Sequence, residues 1–225
     1  EDCPGFLGQK WMDAQLEATY EGPEAVQRRQ LGVTMVTELY LALFRQARAD
    51  TQRLAAEHPQ TGAGALAAAM QVWEWTVDYL AQGVDAEGRK LYRDQRQGVT
   101  FPLADALCWL LASRLQILDA IALATEGAGK PALADGLAGT AEFFADLCQV
   151  QAARAAGEVG RICAELVYGY GDPRGPTESS AGDLDEFVSW RARADASLAG
   201  ARLAKDRAAA ALARVMVPEA LDYPR

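Results

Sequence analysis

The chain has 225 residues, half of them hydrophobic and 24% charged, which suits one sizeable folded domain or two small ones and argues against disorder. Its net charge of −9 disfavours nucleic acid, whose phosphates demand basic neutralisation, and disfavours polybasic docking on anionic lipid. Four scattered cysteines without a CxxC pair, and one histidine, give almost no material for a zinc cluster, so a reducing, cytoplasmic setting without a metal is expected.

The longest charge-free stretch, residues 58–73, is interrupted by Pro59 and two glycines. It falls short of the roughly 20 apolar residues that a span requires, so no transmembrane segment is expected. The first residues are Glu1-Asp2-Cys3-Pro4, with neither an initiator Met nor a signal-peptide pattern, and a fragment or processed chain is the expectation.

Alanine fills 45 of 225 positions, and alternating β-branched runs are absent. Both facts favour an all-α fold. In chain order, a short helix is expected over 9–17, then a turn at Tyr20-Glu21-Gly22. Pro23 suits the first position of the next helix, where its missing N–H goes unnoticed. That helix is expected over 24–57, with an apolar stripe of Val26, Val33, Val36, Tyr40, Leu43 and Ala47. The next covers 65–82 and carries Leu66, Met70, Trp73, Val77 and Leu80 on one side.

Residues 83–98 are charged and glycine-punctuated and read as a solvated loop. The helix predicted over 102–125 is apolar nearly all round, which places it in the middle of a bundle. A long helix over 131–168 follows, with glycines at 136, 139, 157 and 160 that suggest close helix approach or a local break. Residues 169–182 read as a linker. Asp183 is the expected N-cap of a last helix over 184–216. Helices separated by short polar breaks favour an antiparallel helical bundle.

Most side chains that carry chemistry elsewhere have bland readings here. His58 stands at a helix end beside proline. Neither a P-loop nor a GxGxxG occurs. Trp73 and Trp75 read as core and rim, the cysteines as small buried hydrophobes, and the basic residues at 89, 90, 93 and 96 as a solvated patch. One segment differs: Met12-Asp13-Ala14-Gln15-Leu16-Glu17-Ala18-Thr19-Tyr20-Glu21-Gly22-Pro23-Glu24-Ala25-Val26-Gln27-Arg28-Arg29. Its pattern places Glu21 in a tight turn beside a helix N-terminus, whose free N–H groups favour a negative charge or a polarised carbonyl. The residues alone also fit an ordinary acidic group near a helix start.

This segment resembles the C-terminal signature of the acyl-CoA dehydrogenases, approximately R-D-A-R-I-x-x-I-Y-E-G-T-x-E-I-Q-R. Asp13, Ala14, Leu16, Tyr20, Glu21, Gly22, Val26, Gln27 and Arg28 match it identically or conservatively. The motif spans about the first 30 residues. The later helices resemble, more loosely, the C-terminal helical extension of some family members. The resemblance implies division into residues 1–45, the end of the catalytic core, and residues 46–225, a helical extension.

It further implies an FAD-dependent oxidoreductase that converts an acyl-CoA thioester to the 2-enoyl-CoA. Glu21 would be the base that removes the α-proton, with Tyr20 and Gly22 near the substrate and Pro23, Glu24 and Ala25 near the cofactor. The implied partners are an electron-transfer flavoprotein or similar acceptor, the remaining N-terminal part of the enzyme, and further subunits in a homo- or hetero-oligomer. Such chemistry needs a desolvated carboxylate with a raised pKa and donors aimed at the thioester oxygen.

The departures are concrete. Met12 and Gln15 replace the arginines of the signature, and Pro23 replaces the threonine after Glu-Gly. Pro23 offers neither N–H nor hydroxyl to a cofactor. A non-catalytic helical interaction subunit of the same ancestry, or a structural four-helix bundle with a chance motif match, are the other readings of this sequence.

Overall fold

The computed structural model describes residues 24–33, 36, 41–85, 87–93, 96–130, 136–170 and 178–215, with backbone alone at 178–183, 214 and 215. The predicted helix over 9–17 and the turn at Tyr20-Glu21-Gly22 lie outside these residues. Among the described residues the fold is all-α, and extended pairing is confined to a single bridge between Val84 and Lys90.

Among the described residues seven α-helices follow one another: α1 (Glu24–Arg29), α2 (Leu41–Glu57), α3 (Ala63–Gln82), α4 (Gln97–Glu126), α5 (Leu137–Gly169), α6 (Glu178–Ala196) and α7 (Ala201–Val215). Helix α3 carries the predicted apolar face intact: Leu66, Met70, Trp73, Val77 and Leu80 are all buried. Trp73 sits at the centre, its ring 4.5 Å from that of Phe44 and its indole N–H donating to the Leu103 carbonyl at 3.0 Å. Burial of this large ring with its one polar atom satisfied makes the α2–α3–α4 junction a firm core.

Contacts fix the helix directions. Along α2, Arg45 reaches Asp78, Arg48 reaches Glu74, and Ala55 lies against Gly64, so α2 and α3 run antiparallel. Gly127 meets Leu137, the Cys148 thiol donates to the Gln116 carbonyl, and Arg154 covers the Trp109 ring, so α4 and α5 are antiparallel too. Gly62 packs on Gln149, while Trp75, further along α3, shares Phe187 with Tyr168 at the far end of α5, which makes α3 and α5 parallel. The return along α5 is made by α6 and α7 in succession, through Phe187 on Tyr168, Arg191 on Gly160 and Arg207 on Asp146.

Helix α5 therefore touches four other helices (α3, α4, α6 and α7), as α3 does (α2, α4, α5 and α6), and the two form the centre of the bundle. The buried positions of α5 are mostly small (Cys148, Ala152, Ala155, Ala156, Gly160, Cys163), which lets several neighbours approach at once. The apolar α4, expected in the middle, lies instead with one flank outward: Leu115 is 59% exposed, and Leu111 and Leu118 are half-buried. With the turn after it, Gln97–Gly129 is long and apolar enough to cross a membrane by length and composition. The expectation of no spanning segment rested on charge-free runs. Asp105, Arg114 and Asp119 interrupt such runs, yet a window of the helix keeps a mean hydropathy of 1.6.

Other expectations are corrected. Helical winding changes at residues 30–33, which form a π-turn within the span read as one α-helix from 24 to 57. Of its stripe, Val36 is buried and Ala47 packs on the core, but Val26 and Leu43 are 59% and 63% exposed. Phe44, one residue and about 100° further round, faces the core instead.

Helix α6 begins at Glu178, inside the predicted linker, so Asp183 is an interior residue and not an N-cap. The expected single helix over 184–216 is divided at residues 197–200, where Gly200 adopts φ +84°. Helix α5 has no break. Of its glycines only Gly160 shows close approach, where an added Cβ would lie 2.9 Å from Arg191 Nε, while Gly139 and Gly157 face open space.

Candidate functional site

Tyr20, Glu21, Gly22 and Pro23 lie outside the described residues. Glu24 and Ala25 are the first two residues of α1, and both are exposed. Glu24 pairs with Arg28 one turn on, at 2.8 Å. The Arg28 guanidinium also donates from Nε to Asp105 of α4 at 2.8 Å, so the charged end of α1 is tied to an otherwise apolar helix. Beneath this pair a cleft of about 480 Å³ opens between α4 and α5, lined among others by Cys108, Trp109, Gln151 and Arg161.

Just beyond α1 the π-turn seats Gly32 against α4. An added Cβ there would lie 2.4 Å from the Thr100 carbonyl oxygen, a distance no side chain can tolerate. The Gly32 carbonyl accepts a hydrogen bond from the Tyr92 hydroxyl. Burial pushes the Tyr92 phenol up from its ordinary value, so it remains a donor across the physiological range.

Tyr92 belongs to the segment expected to be a solvated loop. Most of its described residues are exposed, as expected, but Leu91 is 4% exposed and the segment folds around Asp85. The Asp85 carboxylate accepts from the backbone N–H groups of Glu87 and Arg89 at 3.1 and 2.9 Å and from Arg89 Nε at 2.8 Å, and it also pairs with Arg96. Burial works against ionisation of Asp85. The hydrogen bonds from the Arg89 amide and from the Arg96 and Arg89 side chains outweigh it, holding the carboxyl well below the usual carboxylate range. Two of the four predicted patch residues thus pair with Asp85, Arg89 from the exposed surface and Arg96 from a largely buried position. Arg96 also lies over the Tyr170 ring at 5.3 Å.

A second charged cluster ties α2 to α3. Glu74 is 7% exposed and accepts from Arg45 at 2.9 Å and Arg48 at 2.7 Å. Its acidic neighbour Asp78 shares Arg45 at 3.1 Å. Both carboxylate oxygens of Glu74 are engaged, as a buried charge requires.

Three described cysteines are free thiols. Burial pushes Cys148 up to about 11 and Cys163 up to about 12, and both are the inert core residues expected. Cys108 is exposed, contrary to expectation, because it lines the open cleft between α4 and α5. Among the described residues no group of His, Cys, Asp and Glu is arranged to hold a metal ion.

Sequence reasoning missed Asp85, Tyr92 and Asp105. The Asp85-to-Arg89 spacing of four residues was a visible signal for the first. Nothing local marks the other two, whose partners lie 60 and 77 residues away in sequence. Comparisons with models of known families, with curated proteins and with solved structures find no match for this chain.

Proposed function

We propose that this chain is the C-terminal portion of an FAD-dependent acyl-CoA dehydrogenase, in which Glu21 removes the α-proton of an acyl-CoA thioester to give the 2-enoyl-CoA. The observation that carries the reading is the order and spacing from Asp13 through Tyr20-Glu21-Gly22 to Gln27-Arg28. The described chain is helical over Glu24–Arg29, in keeping with the helix expected after the Glu21 turn, and this supports the reading. In this reading α2 to α7 form the family's C-terminal type of antiparallel bundle with additional helices. The rest of the enzyme, an electron-transfer flavoprotein or similar acceptor, and further subunits complete the machine in the cytoplasm.

The residues at hand fit FAD in part. Glu24 and Ala25 offer an exposed first helical turn. The Glu24 carboxylate repels a pyrophosphate, and it is already paired with Arg28. Pro23, Glu24 and Ala25 would therefore hold the neutral ring or ribityl edge of the cofactor through backbone and van der Waals contact. When bound, the flavin accepts the hydride that leaves the β-carbon. The chain's own work is at the α-carbon. The Glu21 carboxylate takes the proton while its backbone N–H donates toward the thioester oxygen, where enolate charge develops. The electron pair of the broken Cα–H bond becomes the new C=C bond as the hydride departs.

A second reading, a helical interaction subunit that has lost its chemistry, is favoured by Met12, Gln15 and Pro23 in place of the signature residues. In the complete enzyme Glu21→Gln is expected to keep folding and flavin content and to lose about 10²–10⁴ in the rate of flavin bleaching by acyl-CoA. Undiminished bleaching removes Glu21 as the base. A purified complex with no flavin absorption removes the enzyme reading altogether.

A further inference from the structure

Helix α4 has two apolar sides with different fates. Ser113, Ile117 and Ala120 are buried in the chain's own core. On the opposite side Cys108 and Leu115 are exposed, and Leu111, Leu118 and Ala122 are half-buried. These five residues follow one another at spacings of three, four, three and four. That is the a and d rhythm of a coiled-coil seam, whose apolar side chains insert between those of a partner helix. Cys108 stands where the seam borders the cleft toward α5. The repeat runs for about 21 Å at 1.5 Å per residue. So short a seam could not fold two free peptides, but α4 is already folded in its own bundle and association does not have to order it.

The charges beside the seam indicate what fits it. With Cys108 and Leu115 at a positions, Arg114 takes a g position and Asp119 an e position. In a parallel pair of helices a g residue faces the e residue five places further along the partner. Arg114 of one copy therefore meets Asp119 of a second copy, and twofold symmetry makes the pairing twice.

Both groups are poorly served within the chain. Asp119 is exposed and makes no ion pair among the described residues. Arg114 pairs there only with Asp50, at 4.0 Å, beyond hydrogen-bond length, and its Nε is buried without an acceptor. Asp50 is itself held by Arg53 and Gln46. A bilayer would offer nothing to either charge, and the net charge of −9 disfavours anionic lipid.

We propose that the outward side of α4 is a homodimer interface, on which α4 of a second copy of this chain packs in parallel as a short coiled coil. The twofold axis runs along the seam, so Cys108 lies beside Cys108 of the second copy. The proposal is independent of the reading of Glu21.

The test uses the full chain carrying Cys3→Ser, since Cys148 and Cys163 are buried and Cys108 is exposed. Diamide takes one hydrogen from each of the two facing Cys108 thiols, which join in an S–S bond while diamide becomes its hydrazine. A disulfide-linked dimer is expected on a non-reducing gel, and Cys108→Ser is expected to abolish it. In an antiparallel pair centred on Leu115 the two thiols would stand about 21 Å apart, so the cross-link also reports direction.

Sedimentation of the unoxidised chain should show a concentration-dependent dimer that Leu115→Asp removes. Asp119→Arg changes an exposed side chain, so the fold should hold, and it sets like charges together and should weaken the dimer about tenfold. Adding Arg114→Asp restores opposite charges and should return the affinity to within about threefold of the original.

A chain that stays monomeric at its highest soluble concentration overturns the proposal, as does a dimer that survives Leu115→Asp. A dimer without the Cys108 cross-link overturns the parallel seam. A monomer that floats with phosphatidylcholine vesicles, and loses that property with Leu115→Asp, makes the face a lipid contact and overturns the dimer.

Discussion

The junction around Trp73 and the brace around Asp85 are held by different physics. Around Trp73, burial of Phe44, Leu66, Met70, Leu103 and Leu107 removes large apolar area from water, and the one polar atom involved is satisfied. Around Asp85 little apolar area is buried, and the fold depends on a few hydrogen bonds to single atoms. Burial is distributed over many contacts and indifferent to pH. A carboxylate-centred brace is concentrated, and it fails when one group changes state. The first kind of region sets stability, and the second sets the position of what is attached to it.

The largest effect belongs to the first region. Trp73→Ala is expected to cost about 3–5 kcal/mol in chemical denaturation, since it leaves a cavity and unpairs its neighbours. A loss under 1 kcal/mol would mean that the junction is not the main core. Acid sharpens the contrast. The folded-state value of Asp85 lies below its ordinary one, so its stabilisation is complete above about pH 3.9. It shrinks as the pH falls below that value and is gone once the pH passes the folded-state value. Hydrogen exchange at residues 83–92 is expected to quicken in acid before exchange in α3 does. If both segments open together, the two regions are not separable.

The smallest effect is on α5. Gly157→Ala, which meets nothing within 4 Å, should raise stability by about 0.5–1 kcal/mol through backbone entropy. Gly160→Ala should gain less, because its methyl must displace the Arg191 guanidinium that donates to the Gly160 carbonyl at 2.6 Å. Equal gains in thermal unfolding would show that Arg191 moves aside freely.

Where periodicity carried the information, the fold was readable. The five residues assigned to the buried face of α3 are all buried, and the breaks at residues 58–62 and 127–130 stand where Pro and Gly placed them. Trp75 is the half-buried rim residue expected beside buried Trp73, stacked on Tyr79 at 5.1 Å. Less of the candidate site was legible. The motif names Glu21, but nothing near it in sequence indicates that Tyr92 and Asp105 hold the helix that follows. Lone glycines were ambiguous for the same reason, since Gly157 and Gly160 look alike until α6 is placed.

The sequence by itself determined helix, its breaks and its apolar faces, because propensity and side-chain spacing are local properties of the chain. Tertiary structure alone decided which helices became the centre. Apolar content pointed to α4, but α3 and α5 each meet four other helices, the small side chains of α5 admitting neighbours at close range, while one flank of α4 faces outward. It likewise turned a charged, glycine-punctuated stretch into a brace. A carboxylate such as Asp85 is solvated or structural according to whether donors converge on it, and their convergence depends on chain segments meeting in space.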